Sequence, residues 1–513
     1  MRCYASGILH QTASRLVVLL AVGMFLWAVP PAFDGIFANE KNVLDFGAKC
    51  DGVSVDNQAF LNSLAATGSA TVPGNRTCIV DSLELPNNSR ISGLDRTTSN
   101  IKPGSTGNIF IVTGTAAAHK LNVSIENLSF STRTGSNVAG TAVLNASYAD
   151  NISVTNNNSM EIQLLFTNRA FKYGDVLPSW LNKNTIFSGN LCKSVQVEHD
   201  ACAEFAYVDQ VTAHANKIYG FHDSLFYWGG DANKDGAIEN PRWAQHIEFD
   251  RNYIDGSRAG VWGSMGRGVI LSANTVSNIA DVGIDFEGTI DGQAIGNSCT
   301  NAVNGCATTF FLNRNIIFSG NTITQAKAGQ PMFRLYNSTL SNKNQDISVN
   351  ENTFQCKDSI AVCTVDNRSG PCRRLNVSRN MLSGTTIDFA AAVNQGDEAI
   401  EKNKLTFDRV FSGSAIKAAV FGRATATVTE NTILSRVPQP SAVGIVLTDS
   451  DFNNGNSYRA SSNTISGFET AIALITNGAN PGIQANFFVK GNNLDIGRIV
   501  RTDRNLEKSR VTR

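Results

Sequence analysis

Asp285 and Glu287 are the residues of this sequence whose types and spacing best suit acid–base chemistry. In an extended strand, residues two apart lie on one face, with their Cα atoms roughly 6.6 Å apart. Neighbouring carboxyl groups hold their protons unequally, so one serves as an acid while the other serves as a base. The spacing is close to the roughly 6.5–9.5 Å that separates the carboxyl groups of inverting glycosidases. We therefore predict that this pair cleaves a glycosidic bond; a surface pair that accepts hydrogen bonds from a neighbouring loop is the alternative.

An aromatic wall is predicted beside this pair. Three five-residue stretches that begin at Ser224, Gly260 and Gly283 align, each with an apolar second residue followed by alternation. If the second residues face a core, the alternate residues face outward together. The predicted outward column consists of Phe226, Trp228, Trp262, Ser264, Asp285 and Glu287, continued by Arg334 and Tyr336. Flat rings stack on the apolar faces of sugars, so the column predicts a carbohydrate groove; tryptophans covered by a loop, as a small satellite core, are the alternative.

The same alignment places further polar residues around the column. Just before the aligned stretches lie His222, Asp223, Arg258 and Asp281. We predict that these four shape the site, with His222 as a candidate acid or base because it neighbours a carboxylate and an arginine. On the preceding strand, His214 and Asp250 occupy matching positions and are predicted to face the substrate.

The residues after Trp228 are similar to the start of a calcium-binding loop. Its alternate positions hold Asp231, Asn233 and Asp235, with Glu239 at the ninth place. Oxygen ligands at alternate positions, with Gly236 at the sixth, let a backbone wrap around a hard cation. Arg242 stands where the closing Glu of an EF-hand belongs, which excludes a complete hand, and a plain turn is the alternative. The predicted glycosidic cleavage requires no cofactor. Calcium is the cation for which the sequence offers a candidate site.

A recurring asparagine organises the chain. Asn followed within one or two residues by an apolar residue recurs at intervals of mostly about 22 to 36 residues, each time after an alternating strand. This is the period of a β-solenoid, with a β-sandwich as the alternative. Asn suits a bend because it tolerates left-handed backbone angles, and stacked Asn side chains bond one another along the axis. The members are Asn127, Asn190, Asn216, Asn252, Asn274, Asn321, Asn352, Asn380, Asn403, Asn431 and Asn463, with Asn297 and Asn493 as weaker members.

The start of the solenoid carries a family resemblance. Residues 42–52, NVLDFGAKCDG, followed by Asp56 and by Ala59-Phe60, resemble the opening of the pectate-lyase superfamily, and residues 71–74 and 83–93 continue the match. That superfamily includes rhamnogalacturonase-like and epimerase-like enzymes and phage tailspike depolymerases. The resemblance implies an all-β, single-stranded right-handed parallel β-helix and does not specify a reaction. We expect Asp56 to cap a helix over residues 57–66 that plugs the open end of the solenoid.

The remaining sequence features indicate export. Residues 1–38 read as a signal peptide, with an apolar run of about 14 residues that is too short to span a bilayer; an uncleaved signal anchor is the alternative. The β-helix is predicted over residues 39–500 and a polar tail over 501–513. Lys+Arg and Asp+Glu both number 43, so the balance gives no indication of nucleic acid or a membrane surface. The cysteines fit an oxidising compartment, secreted or periplasmic. The expected pairs are Cys50/Cys78, Cys192/Cys202 and Cys299/Cys306, with one of Cys356, Cys363 and Cys372 left over.

Three functions fit these observations. The first is a glycoside hydrolase that cleaves a polysaccharide with acidic residues. The second is a lyase or epimerase on uronate polymers, with Arg258, Arg267 and His222 neutralising the substrate carboxylate and removing a proton. Against it, the Arg and Lys pattern of pectate lyases and the Asp-Pro-His signature of alginate epimerases are not evident in the sequence. The third is a non-catalytic glycan-binding or adhesive solenoid. The sequence leaves the sugar, the linkage and the oligomeric state open.

Overall fold

The structure, a computed structural model, is a single-stranded right-handed parallel β-helix, as the sequence predicts. It describes residues 42–513 except 106, 133–140, 196–200, 337–343, 367–371, 394–396, 422–424, 450–455, 477–485, 496–497, 502–509 and 513. The predicted signal peptide therefore lies outside the described residues. No helix among the described residues has the length and apolar composition needed to cross a lipid bilayer.

Each complete turn of the solenoid contributes three strands, which stack on three faces that we call sheets A, B and C. Sheet A contains the alternating strand that precedes each asparagine bend. Its strands are Ser69–Val72, Ser89–Gly93, Lys120–Glu126, Ala149–Thr155, Asn182–Ser188, Val208–His214, Ala244–Asp250, Gly266–Ser272, Ile290–Ile295, Arg314–Ser319, Gln345–Asn350, Arg373–Ser378, Asp397–Glu401, Thr425–Thr429, Ser457–Ser461, Asn486–Lys490 and Arg510–Thr512. The last of these pairs with Asn486–Lys490, so sheet A continues into the segment expected to be a tail.

Sheets B and C follow the bend. Sheet B contains Asp51–Val55, Arg76–Val80, Ser99–Pro103, Ser129–Ser131, Asn158–Met160, Leu191–Lys193, Lys217–Tyr219, Tyr253–Asp255, Thr275–Ile279, Ser298–Ala302, Thr322–Gln325, Thr353–Cys356, Met381–Ser383, Lys404–Phe407 and Asn493–Leu494. Sheet C contains Leu83–Glu84, Phe110–Thr113, Ala142–Ser147, Gln163–Thr167, Ala201–Ala206, Asp223–Trp228, Ala259–Ser264, Val282–Glu287, Gly305–Phe310, Pro331–Tyr336, Cys363–Asp366, Thr385–Val393, Gly413–Phe421 and Arg498–Arg501. The long strands Thr432–Asp449 and Thr464–Thr476 run through both sheets.

A ladder of buried asparagines fixes the bend between sheets A and B. The Nδ2 and backbone N–H of Asn252 both donate to Oδ1 of Asn274, at 2.9 and 3.0 Å, and Nδ2 also donates to the carbonyl of Ala213 at 3.0 Å. The same contacts repeat along the axis. The ladder consists of Asn157, Asn190, Asn216, Asn252, Asn274, Asn297, Asn321, Asn352, Asn380, Asn403, Asn431, Asn463 and Asn492. The predicted side-chain ladder is therefore confirmed.

Three details of the predicted bend are wrong. The left-handed residue is the one before each ladder asparagine, as at Ala273 with φ of 51°, because the side-chain amide is already committed to the ladder. Asn127 has this left-handed role, and the following Leu128 stands in the ladder position, where its N–H donates to Asn157. At the other end the ladder residue is Asn492 rather than Asn493.

The core and the first turn follow from side-chain type. Leu225, Val261 and Ile284 are buried, as the alternation requires. An α-helix, Asn57–Thr67, buries Phe60 and its apolar neighbours against the first turns. Asp56 does not cap this helix, since its carboxylate instead accepts the backbone N–H groups of nearby loop and strand residues. Short 3₁₀ helices lie at Val43–Phe46, Tyr173–Asp175 and Pro178–Trp180.

Four disulfide bonds staple the described turns. Cys50–Cys78, Cys192–Cys202 and Cys299–Cys306 form as predicted, and Cys356–Cys363 is the fourth. Cys372 is the free, buried cysteine.

Candidate active site

The strands of sheet C place the predicted site residues in three rows that run along the solenoid axis. The entry row, just before or at the start of the strands, consists of His222, Arg258, Asp281 and Asn304. The middle row consists of Phe226, Trp262, Asp285, Thr308 and Arg334. The exit row consists of Trp228, Ser264, Glu287, Phe310 and Tyr336. Residues that are tens of positions apart in sequence therefore lie side by side.

A cleft of about 380 Å³ lies over these rows, a size that suits a small-molecule or sugar ligand. Its lining includes nine residues predicted for the site: His222, Asp223, Arg258, Trp262, Asp281, Asp285, Glu287, Arg334 and Tyr336. It also includes Asn304, Phe310 and Phe311, which the sequence analysis missed. The cleft thus combines four carboxyl groups, two arginines and several aromatic rings.

Asp223 orients two of the cleft side chains. Its Oδ1 accepts the indole N–H of Trp262 at 2.9 Å, and its Oδ2 lies 2.8 Å from Nδ1 of His222. The other imidazole nitrogen, Nε2, contacts the guanidinium of Arg258, which can only donate. His222 therefore carries its proton on Nδ1 and has both nitrogens engaged, so it accepts a substrate proton only after Arg258 moves.

Asp281 lies at the open side of the cleft. Its Oδ1 accepts the side-chain amide of Asn304 at 2.6 Å, and its Oδ2 lies 3.8 Å from Nη2 of Arg258. Its side chain is 31% exposed, so water and ligand reach it. Asp281 therefore has a hydrogen-bond donor at one carboxyl oxygen and a guanidinium near the other.

Asp285 forms the floor of the cleft and is fully buried. Its Oδ1 accepts the hydroxyl of Thr308 at 2.7 Å, while Oδ2 has no hydrogen-bond partner among the described residues. Burial, followed by the charge of Glu287, raises the pKa of Asp285 well above its usual value, and the bond from Thr308 opposes that shift only in part. Burial therefore favours the protonated form of Asp285.

Glu287 is the carboxyl group of the pair that borders the open cleft. It is half-buried, between Ser264 and Phe310 in the exit row. Burial raises the pKa of Glu287 to about 8, with further contributions from the charges of Asp231, Asp281 and Asp223. Both carboxyl groups of the pair therefore have a raised pKa. The split into one protonated acid and one ionised base stays a prediction, and Asp285 has no exposed area through which to reach a ligand.

The aromatic wall is shorter than predicted. Trp262 lines the cleft, and Phe226 is buried beneath it with ring centroids 4.3 Å apart. The structure does not bring Trp228 into the cleft. Trp228 packs on a small cluster that includes Val176 and Tyr207. An insertion, residues 168–181 between the strands Gln163–Thr167 and Asn182–Ser188, folds back over it there. The satellite-core alternative therefore describes Trp228, whereas Trp262 lines the cleft, where a carbohydrate groove stays a prediction.

His214 and Asp250 lie on a different face from the cleft. Both belong to sheet A, where His214 Nδ1 is 3.0 Å from Asp250 Oδ2 and Arg251 adds a second contact at 2.7 Å. The structure therefore does not bring them to the predicted site, because both lie at the ends of sheet A strands beside the asparagine bend and neither lines the cleft.

The loop that resembles a calcium site forms a hydrogen-bonded turn. Asp231 Oδ1 accepts the N–H groups of Asn233 and Lys234 at 3.0 and 3.2 Å, and Lys234 Nζ lies 3.1 Å from Oδ2. Asp235 Oδ2 accepts the N–H of Asp231 at 2.8 Å, and Glu239 is exposed. These contacts fit the turn alternative.

The acidic residues of this loop do not form a cluster of possible metal ligands. In the described part of the chain, three ligand atoms of His, Cys, Asp or Glu lie within 4.8 Å of one another only at Cys50, Asp56 and Cys78, where both sulfurs belong to a disulfide. Calcium at the 231–239 loop therefore stays a prediction.

Phe310, Phe311 and Asn304 were missed because their turn carries no charged residue between positions 303 and 313. The strand Gly305–Phe310 reads GCATTF, which lacks the apolar-then-charged signature of its neighbours. The signal that would have found Phe310 is register alone, since it lies opposite Glu287 and next to Tyr336 in the exit row.

Comparison with known proteins supports the fold and nothing finer. No family model and no curated protein matches the chain. Among solved structures, the N-terminal fragment of bacteriophage Phi29 gene product 12 has a TM-score of 0.54 at 10% identity, covering 90% of this chain and 93% of that one. The pre-mature bacteriophage phi29 gene product 12 has a TM-score of 0.53 at 11% identity, covering 88% and 72%. Likeness at these identities shows a shared fold alone.

Proposed function

We propose that this protein is an exported polysaccharide-degrading enzyme that cleaves glycosidic bonds by acid–base catalysis in the cleft on sheet C. The observation that carries the proposal is Glu287, a carboxyl group with a pKa raised to about 8 in a cleft that Trp262 and Phe310 also line. A carboxylic acid that keeps its proton near neutral pH is the group that glycosidic cleavage requires as its general acid.

Within this proposal the cleft carboxyl groups have separate roles. Glu287 gives its proton to the leaving oxygen, because it is protonated and reaches the cleft. Asp281, exposed beside Arg258 and Asn304, is the anion that activates water or stabilises positive charge on the sugar. Asp285 stays neutral beneath them, so it lowers the negative charge that Glu287 faces. This assignment replaces the predicted Asp285 and Glu287 acid–base pair, since Asp285 has no exposed area.

A lyase or epimerase acting on uronate polymers is the second candidate, and one observation favours it. Arg334 lines the cleft and makes no ion pair with the described residues, and Arg258 lies at the other side. Two guanidinium groups in one cleft suit a ligand that carries carboxylates. That chemistry would also need a free base, and His222 Nε2 is engaged by Arg258.

The test is incubation of the purified protein with a panel of neutral and uronate polysaccharides. New reducing ends without new ultraviolet absorbance indicate hydrolysis, whereas unsaturated, ultraviolet-absorbing ends indicate a lyase. The same panel with Glu287→Gln serves as the matched control and should yield neither product. Binding of a polysaccharide by the wild-type protein without any new ends would overturn the proposal and leave a non-catalytic glycan-binding solenoid.

A further inference from the structure

The loop Gly229–Trp243, which follows Trp228, is docked beside Glu287. The N–H of Ala232 donates to Oγ of Ser264 at 3.0 Å, and Ser264 is the register partner of Glu287. Ala232 is fully buried against Gly288, the residue after Glu287: a Cβ at position 288 would lie 2.7 Å from that of Ala232. A side chain at position 288 would therefore collide with Ala232, so this close approach requires glycine. The loop therefore contacts both Ser264, on the neighbouring strand, and Gly288, the next residue in the chain after Glu287.

Arg242 anchors this loop to Gly288 through hydrogen bonds. Only 1% of the residue is exposed, although it carries a cation. Its Nε donates to the carbonyl of Gly288 at 2.5 Å, and its Nη1 donates to the loop carbonyls of Ala237, at 3.1 Å, and Asn240. Nη2 has no hydrogen-bond partner among the described residues. One guanidinium thus ties the loop to the strand that carries Glu287.

A buried arginine without a carboxylate partner is costly to maintain. Burial lowers the pKa of Arg242 to about 10, which reflects that cost. A loop that served only to connect two strands would be more stable with a neutral side chain at this buried position. The insertion that covers Trp228 braces the loop as well, since the hydroxyl of Tyr173 donates to the carbonyl of Pro241 at 3.1 Å. The loop therefore has more anchorage than a connection requires.

The consequence of this anchorage is the placement of Asp231. Asp231 immediately precedes Ala232, so the contacts of Ala232 with Ser264 and Gly288 hold it near Glu287. After burial, the charge of Asp231 is the largest cause of the raised pKa of Glu287. The other charged groups around Glu287 are Asp223, Asp281 and Asp285 among the carboxyl groups, Arg258 and Arg334 in the cleft lining, His222, and Lys234 on Asp231.

We propose that the loop Gly229–Trp243 is a positioning element of the candidate active site, in which Arg242 pins the loop to Gly288 and the contacts of Ala232 hold the charge of Asp231 beside Glu287. The proposal deepens the proposed function, because that function needs Glu287 protonated, but its physical claim concerns proton binding and is measurable without a substrate. Asp231 and Arg242 are positioning residues, since neither lines the cleft.

Asp231→Asn is the variant that tests this proposal. Asn keeps the acceptor for the N–H groups of residues 233 and 234 and removes only the charge. The matched control is Asp95→Asn, because Asp95 Oδ1 accepts the N–H groups of Thr97 and Thr98 in a similar turn away from the cleft. Proton binding by the full chain between about pH 5 and pH 10 is measured by potentiometric titration, and the curve of the matching Glu287→Gln protein is subtracted. The difference reports the titration of Glu287.

The expected result is a midpoint for Glu287 that falls by roughly one pH unit in Asp231→Asn and does not move in Asp95→Asn. Arg242→Lys keeps a cation but loses the forked donors, so it should lower the midpoint in the same direction. Equal midpoints in Asp231→Asn and Asp95→Asn would overturn the proposal, whether or not any polysaccharide is cleaved. A midpoint that moves in a protein that cleaves nothing would support this proposal and refute the proposed function instead.

Discussion

Among the described residues, two carboxyl groups are buried without full hydrogen bonding: Asp285 on sheet C and Glu398 on sheet A. Both are at most 1% exposed, and burial is the largest cause that raises the pKa of each well above its usual value. Asp285 Oδ2 and both carboxyl oxygens of Glu398 lack hydrogen-bond partners among the described residues. By pKa alone, the two groups would rank equally as functional candidates.

Their surroundings differ. Asp285 faces outward beneath a cleft, accepts a bond from Thr308 and has Glu287 beside it. Glu398 faces inward on the strand Asp397–Glu401, opposite the buried Leu375 and on the same face as the buried Ile400. A perturbed pKa therefore indicates burial first. It indicates chemistry only where a cleft, aromatic rings and a second carboxyl group converge on it.

The largest effect that separates the two places is on turnover. Glu287→Gln keeps volume and should lower kcat by roughly 100- to 10,000-fold with the melting temperature nearly unchanged, as expected for loss of a general acid. Glu398→Gln should leave kcat as it is. Steady-state rates on the best polysaccharide of the panel make the measurement, and near-normal turnover in a folded Glu287→Gln variant would remove the distinction.

The next effect is the pH dependence of stability. Burial raises the pKa of Glu398 in the native protein well above 4.5, the ordinary value for Glu at which the unfolded chain loses this proton. Its contribution is therefore intact below that pH and declines as the pH rises toward the raised native pKa. The free energy of unfolding of Glu398→Met should exceed that of the wild type by up to about 1.4 kcal/mol for each pH unit above 5.

Denaturant unfolding at pH 5, 6, 7 and 8 measures this gain. Glu401→Met, a half-buried position on the same strand, is the matched control and should show no such trend. A constant difference between Glu398→Met and the wild type across this range would show that Glu398 is not protonated in the native core.

A smaller effect separates the two tryptophans. Trp262→Ala should weaken oligosaccharide binding by roughly tenfold, or about 1.4 kcal/mol, because its ring lines the cleft. Trp228→Ala should leave binding within about twofold and lower stability instead, by roughly 2–3 kcal/mol, because its ring packs on the satellite cluster. Calorimetric binding and thermal unfolding of both variants measure the contrast, and the reverse pattern would move the sugar-binding face toward Trp228.

The smallest effect concerns the hydrogen bond that Asp285 has and Glu398 lacks. Thr308→Val removes the hydroxyl but keeps the side-chain shape, and it leaves Asp285 Oδ1 without its partner. The expected loss is about 1–2 kcal/mol in the free energy of unfolding, with kcat reduced only slightly. Thr309→Val is a useful control, because the neighbouring Thr309 hydroxyl is buried and has no hydrogen-bond partner in the described part of the chain, so its removal should cost less.

Much of the fold is encoded locally and could be predicted. The asparagine period sets the turns, because each buried amide bonds the next, and alternation sets which residues, such as Leu225 and Val261, face inward. Register then brings His222, Arg258 and Glu287 together even though no local pattern connects them. Close cysteine spacing was enough to predict Cys192–Cys202 and Cys299–Cys306.

Predictions from the sequence were wrong mainly where segments outside the β-helix repeat pack against the β-helix. The insertion that covers Trp228 and the loop that carries Arg242 return to sheet C through tertiary contacts, which strand alternation does not describe. Arg242 was considered only as the residue that breaks a calcium motif, although it is one of the most buried side chains. His214 and Asp250 were misplaced because matching positions within sheet A say nothing about which face holds the cleft.

A crystal structure of the Glu287→Gln variant with an oligosaccharide from the best substrate would show which face of the β-helix binds the sugar. We expect a sugar ring against Trp262, a second near Phe310, and a glycosidic oxygen within hydrogen-bond distance of the residue 287 side chain. An oligosaccharide bound instead on sheet A, beside His214 and Asp250, or on the insertion over Trp228, would contradict this expectation.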